Sequence, residues 1–397
     1  MKLIKKELIK ELNNKKIVLG NGFDLFCGLK TTYKNFFESQ SDNYIYFDNF
    51  VKSFIKDNYG SKYYHNHSIS ILSKVYENTI WDLVFYLMSN NKQKTEWCDV
   101  EVIIKNTFIN QNLIKWNNVL EIIQHRNTIS EKHKYDYVCA SFLEIKYSID
   151  NPITKDEFYD LLYEELTIFE QKFGQYIQKE QEQNEEYINN AINTLIKFTN
   201  STNQIVSIDT FNYSNISIHN KWCFTKMYNI NGTVTQPIFG YFSPTTDPLT
   251  NEHRFTKSHR KTLASFENEE IKKEDFFEHL IIFGHSLNEQ DYNYFFPLFD
   301  DLDLNNTNCL GKLIIAFTIY DSNKRKEIIE TLTKRLIKMI YEYEKSSGSS
   351  GNRLYDKLQY KNRILFYEID NSEEDISEFF DKNCLTFNET TNKFEEL

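Results

Sequence analysis

The segment from Ile17 to Tyr33 reads IVLGNGFDLFCGLKTTY: a β-branched apolar run, closely spaced glycines, then hydroxyls. Gly20, Asn21, Gly22, Phe23 and Asp24 lead on to Gly28 and then to Thr31, Thr32 and Tyr33. A strand that runs into such a turn presents backbone N–H groups at a crevice, the device by which α/β proteins hold phosphate oxygens. The spacing departs from the common dinucleotide fingerprint G-x-G-x-x-G, because Leu25 stands where the third glycine belongs and the next glycine is Gly28. Three later segments have the same character: Phe211, Asn212, Tyr213; Asn231, Gly232, Thr233; and Gly284, His285, Ser286, Leu287, Asn288 with Asp291 beyond. Neighbouring strands of a doubly wound sheet bring their carboxyl ends to one edge, so the four turns are expected to line one crevice.

The elements that must position these turns are legible as short apolar runs. Besides Ile17 to Leu19, strands are expected at Gln204 to Ile208, Pro237 to Phe239, Leu280 to Phe283, Leu313 to Tyr320 and Ile364 to Ile369. Ser322 to Glu344 carries Ile328, Ile329, Leu332, Leu336, Ile337 and Ile340 at helical spacing directly after a strand, the alternation of a parallel α/β sheet. Residues 37–202 differ in texture, being rich in Asn, Gln, Lys, Glu and aromatics, with helical periodicity at Asp156 to Gln178 and Gln181 to Lys197. The organisation expected is a discontinuous α/β domain of residues 1–36 and 203–397, mainly parallel and Rossmann-like, around a mainly helical insertion at 37–202. That insertion would serve as a lid, an oligomerisation surface or both. The tract from Ser346 to Gly351 is a flexible loop.

The chain has 397 residues, 40% of them apolar, with 32 Phe and 26 Tyr against 11 Gly and 5 Pro, which suits a compact, regular fold. Its net charge of -11 is the opposite of the basic footprint of a protein that grips nucleic-acid backbone. Six cysteines stand singly, without a Cys-x-x-Cys pair or a Cys/His cluster at zinc spacing, and read as reduced thiols of a cytoplasmic protein. The amino terminus alternates charges with Leu3, Ile4, Leu8, Ile9 and Leu12 and reads as a short amphipathic helix rather than a signal peptide. No run is long and apolar enough to span a membrane.

The phrases GNGFD, GL-x-T-x-Y, FNY and FGHSLN-x-x-D resemble the AbiH family of bacterial abortive-infection proteins, which act against bacteriophage. The resemblance covers both ends of the chain and none of the insertion. AbiH proteins are in turn similar to sirtuin-type NAD-binding domains, whose first turn reads Gly-Ala-Gly-x-Ser with another glycine at the spacing of Gly20, Gly22 and Gly28. The same resemblance sets Phe211, Asn212, Tyr213 on the sirtuin Thr-Gln-Asn-Ile-Asp, with Asn212 at the nicotinamide ribose. It sets Gly284, His285, Ser286, Leu287 on Gly-Thr-Ser-Leu, at the adenosine side. Asn231 and Gly232 fall on the sirtuin His-Gly, so the usual general base is replaced by an amide that accepts no proton near neutral pH. The sirtuin aspartate is also missing, since Tyr213 and Ser214 follow Asn212, and there is no zinc ribbon. Lysine deacylation is therefore not expected.

What the resemblance leaves is cleavage of the bond between nicotinamide and ribose, with NAD as substrate or ligand and no metal. Nicotinamide is already a cationic leaving group, so the demands are stabilisation of an oxocarbenium-like centre and a placed water. The catalytic candidates are Asp24, facing the positive charge; Asn212, holding ribose hydroxyls and water; and His285, standing in for the missing base. Of the three, Asn212 alone rests on a direct motif match. Structural roles stand beside these: the glycines close a tight turn, Asp24 and Asp291 cap helices, Asn212 ties two loops, His285 satisfies a carbonyl, and Thr32 and Tyr33 bind phosphate or pack. The functional readings are an antiphage effector that hydrolyses NAD, a non-catalytic nucleotide sensor or interaction module, and a nuclease, the last disfavoured by the acidic charge. Homo-oligomers and a phage-derived trigger or a partner defence protein are the expected partners.

Overall fold

The computed structural model describes residues 3–56, 74–90, 99–110, 113–125, 134–198, 205–216, 227–243, 246–267, 276–306, 308–348, 353–371, 385–388 and 393–396. Six strands form one sheet: β1 (Lys15–Leu19), β2 (Ile205–Thr210), β3 (Met227–Asn229), β4 (His279–Phe283), β5 (Lys312–Phe317) and β6 (Ile364–Glu368). Their order is β3-β2-β1-β4-β5-β6 and every neighbouring pair is parallel. β1 and β4 are buried along their whole length, as strands covered on both faces must be. The winding leaves β1 for β2 and β3 and resumes on its other side at β4, so the topological switch lies between β1 and β4. Register fixes one edge: Leu19 stands opposite Thr210 and Phe283, Thr210 opposite Asn229, and Phe283 opposite Ala316.

The chain divides into two compact units, residues 1–31, 177–234 and 270–397 in the first and 32–176 with 235–269 in the second. The bounds differ from the expected ones at three places, the shortest being residues 32–36, which fall in the second unit. Residues 177–202 are expected in the insertion, yet the helix Tyr187–Ile196 buries Tyr187, Ala191, Ile192, Leu195 and Ile196 in one core with Ile17, Leu19, Phe23 and Ile208 of the sheet unit. That spacing gives the helix one apolar face, and the sheet is what covers it. Residues 235–269 belong instead to the second unit, where Phe239 and Phe255 join its aromatic packing.

The second unit is helical, as its texture implied, and many of its described aromatic residues are core. Phe85 stacks on Phe169 at 4.9 Å between ring centres, and Trp81 meets Trp116 edge-on at 5.7 Å. Buried ion pairs link its segments: Lys257 to Glu101 at 2.7 Å and Arg260 to Glu170 at 2.6 Å. Burial pushes the Glu170 carboxyl up to about 7, against the opposing pull of Arg260.

Some expected elements are placed otherwise. The run Leu313 to Tyr320 leaves the sheet at Phe317. Pro237 ends a two-residue strand outside the six-stranded sheet, and the Phe239 N–H that a ladder would use donates to Glu170 Oε1 at 2.5 Å. Strand β3 has no counterpart among the expected strands. The helices Lys6–Glu11 and Arg325–Ser346 lie where the periodicity put them. The loop tract from Ser346 begins inside the latter helix, and 349–351 lie outside the described residues, as do Cys98, Cys223 and Cys384; Cys27, Cys139 and Cys309 are unpaired thiols. Among the described residues no helix is long and apolar enough to cross a membrane.

Two lysines are buried at the start of β1. Lys15 Nζ donates to the Ile9 carbonyl at 3.1 Å, meeting a carbonyl near the end of the first helix. Lys16 Nζ lies 3.0 Å from Asp209 Oδ2 on β2, and both side chains are almost wholly excluded from solvent. The Tyr294 hydroxyl donates to the same carboxylate. Removing one ion from such a pair costs about 3–5 kcal/mol, whereas neutralising both is far cheaper. Lys16→Met is therefore expected to destabilise the protein by that amount in urea unfolding, and Lys16→Met with Asp209→Asn to recover most of the loss. Equal destabilisation by the single and double variants would contradict the pairing.

Candidate functional site

Beyond β1 the chain turns at Gly20 into a short helix, Asn21–Phe26. Beyond β4 it turns at Gly284, whose φ of +66° is the left-handed region open to glycine. These two turns touch through their backbones. A Cβ on Gly20 would lie 2.4 Å from the His285 Cα, one on Gly22 2.7 Å from the Gly284 Cα, and one on Gly284 2.5 Å from the Phe23 nitrogen. The glycines are thus required by close approach at the switch point. Their N–H groups are used in the same contact: Gly20 donates to the Phe283 carbonyl and Gly22 to the Gly284 carbonyl, both at 2.8 Å. The bare donors expected at Gly20 and Gly22 are consequently engaged within the fold.

Gly28 has a different role. It follows the end of the helix at Cys27 with φ +99°, the left-handed position that closes many helices, and Leu29 N–H bonds back to the Asp24 carbonyl at 2.9 Å. Asn21 accepts from the Thr31 hydroxyl at 2.6 Å, and Phe23 packs edge-on against Phe283. Thr32 and Tyr33 belong to the second unit, where the Thr32 hydroxyl caps the helix Tyr33–Ser39 and Tyr33 packs against Phe173 and Phe239.

The other strand-end turns gather around Gly20. Asn212 follows β2, and its amide Nδ2 donates to the Gly20 carbonyl and to Asp24 Oδ1, both at 3.1 Å. Its own carbonyl accepts from Asn229 at the end of β3 at 3.1 Å. Asn231 is buried just beyond β3, with Nδ2 3.5 Å from the Phe211 carbonyl and Oδ1 without a hydrogen-bond partner. Gly232 follows with φ +85°, and Tyr213 is buried. Four turns therefore meet at one edge, as the motif order implied.

Asp24 does not open onto this edge. Only 1% of the residue is exposed, and Oδ1 accepts from Tyr187 at 2.8 Å, Ser214 at 3.0 Å and Asn212. Desolvation drives its pKa up to about 7, with those donors pulling the other way. Neither facing a substrate cation nor capping its helix describes it: it ties three segments together from beneath. Tyr187 and Ser214 carry no motif of their own, since only the fold brings them to Asp24.

His285 is committed as well. Nδ1 accepts from the Leu287 N–H at 2.9 Å, Nε2 lies 3.3 Å from Asp291 Oδ2, and the ring packs 4.5 Å from Phe211. With Nδ1 occupied as an acceptor, a neutral ring carries its proton on Nε2 toward Asp291, which leaves no lone pair for a substrate proton. His285 instead holds the turn in which Leu287 adopts φ +56°. Asp291 stands at the start of the helix Tyr292–Asp301 but makes no side-chain cap, because its carboxylate turns to His285. Ser286 is exposed and its carbonyl accepts from Arg335 Nη1 at 2.9 Å, a guanidinium that sequence reasoning missed. Among the described residues no group of three or more His, Cys, Asp or Glu side chains is arranged to hold a metal ion.

Among the amides of these turns, Asn212 Nδ2 is committed inward and Asn231 Oδ1 is buried without a hydrogen-bond partner. For a nucleotide the fit is positive in one respect, since a buried acceptor without a partner such as Asn231 Oδ1 calls for a donor, and ribose hydroxyls are donors.

Asp24 sets a pH dependence. Its pKa is raised from 3.8 to about 7 in the fold, so the folded protein holds the proton more tightly than the unfolded chain. The resulting stabilisation is complete below the unfolded value and is lost as pH rises through about 7. Asp24→Asn, neutral at every pH, is expected to gain stability relative to the parent between pH 5 and pH 8, measured as the difference in urea midpoints. A difference independent of pH would contradict the burial of an ionisable group there.

A family model described as "Bacteriophage abortive infection AbiH" matches residues 17–311, well over half of the chain and all four strand-end turns. No curated protein and no solved structure matches it. The resemblance first read from GNGFD, FNY and FGHSLN is thereby extended across the middle of the chain, and the protein belongs to the AbiH family of bacteriophage abortive-infection proteins.

Proposed function

We propose that this protein is an abortive-infection effector that binds NAD at the carboxyl edge of its sheet and hydrolyses the nicotinamide–ribose bond. The observation that carries the reading is the position of Asn212. Both bonds from its amide nitrogen run inward, to Gly20 and Asp24, which fixes the side chain and supports the oxygen as the group that meets substrate. An oriented carbonyl dipole beside the anomeric carbon favours the oxocarbenium-like transition state and directs a water to it. The C–N electron pair leaves with nicotinamide as a neutral base, water adds to the ribosyl carbon, and its proton passes to solvent. Asn231, in the place of the sirtuin histidine, contributes a second acceptor.

The commitments of Asp24 and His285 favour one rival, a sensor that holds the nucleotide without turning it over. Asn212→Ala separates the two. Purified protein incubated with NAD is expected to release nicotinamide, and Asn212→Ala to lower that rate by roughly 10²-fold while ADP-ribose still binds, both measured below the variant's unfolding transition, which falls because Asp24 and Gly20 lose a donor. Binding without release, in the purified protein and in infected cells alike, favours the sensor and sinks hydrolysis.

A further inference from the structure

Tyr320 is an exposed aromatic residue at the edge where the four turns meet. It comes from the segment that leaves the sheet after β5, with 62% of its surface exposed. Surface tyrosines are ordinarily free to swing, but this one is pinned: its hydroxyl donates to the Gly22 carbonyl at 3.0 Å and also meets the buried Thr318 side chain. The bond carries the ring from the end of β5 past β4 to the turn of β1. An exposed ring whose hydroxyl is held at the Gly22 carbonyl is a ledge on which a flat molecule can lie without first ordering the side chain.

We propose that Tyr320 is the stacking residue for the purine of an adenine nucleotide at this edge, and so sets the preference for ligands that carry that base over ribose phosphates that lack it. The inference rests on the nucleotide reading of the site and adds the residue that meets the base. Base-on-aromatic stacking contributes enough that losing the ring weakens binding at least about fivefold. Losing the hydroxyl alone leaves the stacking face in place.

The test is titration calorimetry of the full chain with ADP-ribose and with ribose 5-phosphate, which lacks the base. Tyr320→Ala is expected to raise the Kd for ADP-ribose at least about fivefold, and Tyr320→Phe less than about threefold, with ribose 5-phosphate unchanged in both. An unchanged ADP-ribose Kd in Tyr320→Ala, or equal losses for both ligands, overturns the inference while leaving the NAD reading in place. Tyr320-dependent ADP-ribose binding in a protein that never releases nicotinamide upholds the ledge and rejects hydrolysis. A parent protein that binds no ADP-ribose overturns both.

Discussion

The contact on which the rest of the first unit depends is the backbone-to-backbone meeting of the turns after β1 and β4. It has no room for a Cβ at Gly20, Gly22 or Gly284. Each polar group of the first turn then acquires a use. The Gly22 N–H closes the contact through the Gly284 carbonyl, the Gly20 carbonyl receives Asn212 from β2, and the Gly22 carbonyl receives Tyr320 from beyond β5. A single turn thus organises loops from strands on both sides of the switch point, where α/β sheets bind their ligands.

Beneath that surface lies Asp24. A carboxyl without solvent is costly unless neutral or well partnered, and here donors from Tyr187, Ser214 and Asn212 converge on one oxygen while desolvation holds the proton near neutrality. The cost secures position. Asn212 cannot rotate without leaving Asp24 and Gly20 short of a donor, so the residue proposed to meet a ribose is held from below.

Much of this was readable in the chain. Both-face burial of a parallel sheet demands continuous apolar runs, and those runs located β1, β2, β4, β5 and β6. β3 escaped because Met227, Tyr228 and Asn229 form a three-residue edge strand of mixed polarity. The end of β5 was overrun because Ile319 and Tyr320 continue its apolar character, although Tyr320 leaves the sheet to reach Gly22. At the site, residue types foretold convergence but not roles. The glycines serve the contact between turns rather than offering bare donors, Gly28 ends a helix, and His285 and Asp24 face inward. Those roles depend on partners such as Leu287, Asp291 and Tyr187, whose proximity arises only on folding.

Membership of a bacteriophage abortive-infection family sets the biological frame, and the strand-edge amides are the groups on which the proposal of NAD cleavage rests. The central claim is spatial: the dinucleotide lies along the turns of β1, β2 and β4 with its nicotinamide ribose at Asn212. A crystal structure of the protein with ADP-ribose, the product that retains both riboses, tests it most directly. The account expects a ribose hydroxyl within hydrogen-bond distance of Asn212 Oδ1 and the distal phosphates along the Gly284 turn. ADP-ribose bound elsewhere, or this edge empty at saturating ligand, would contradict it.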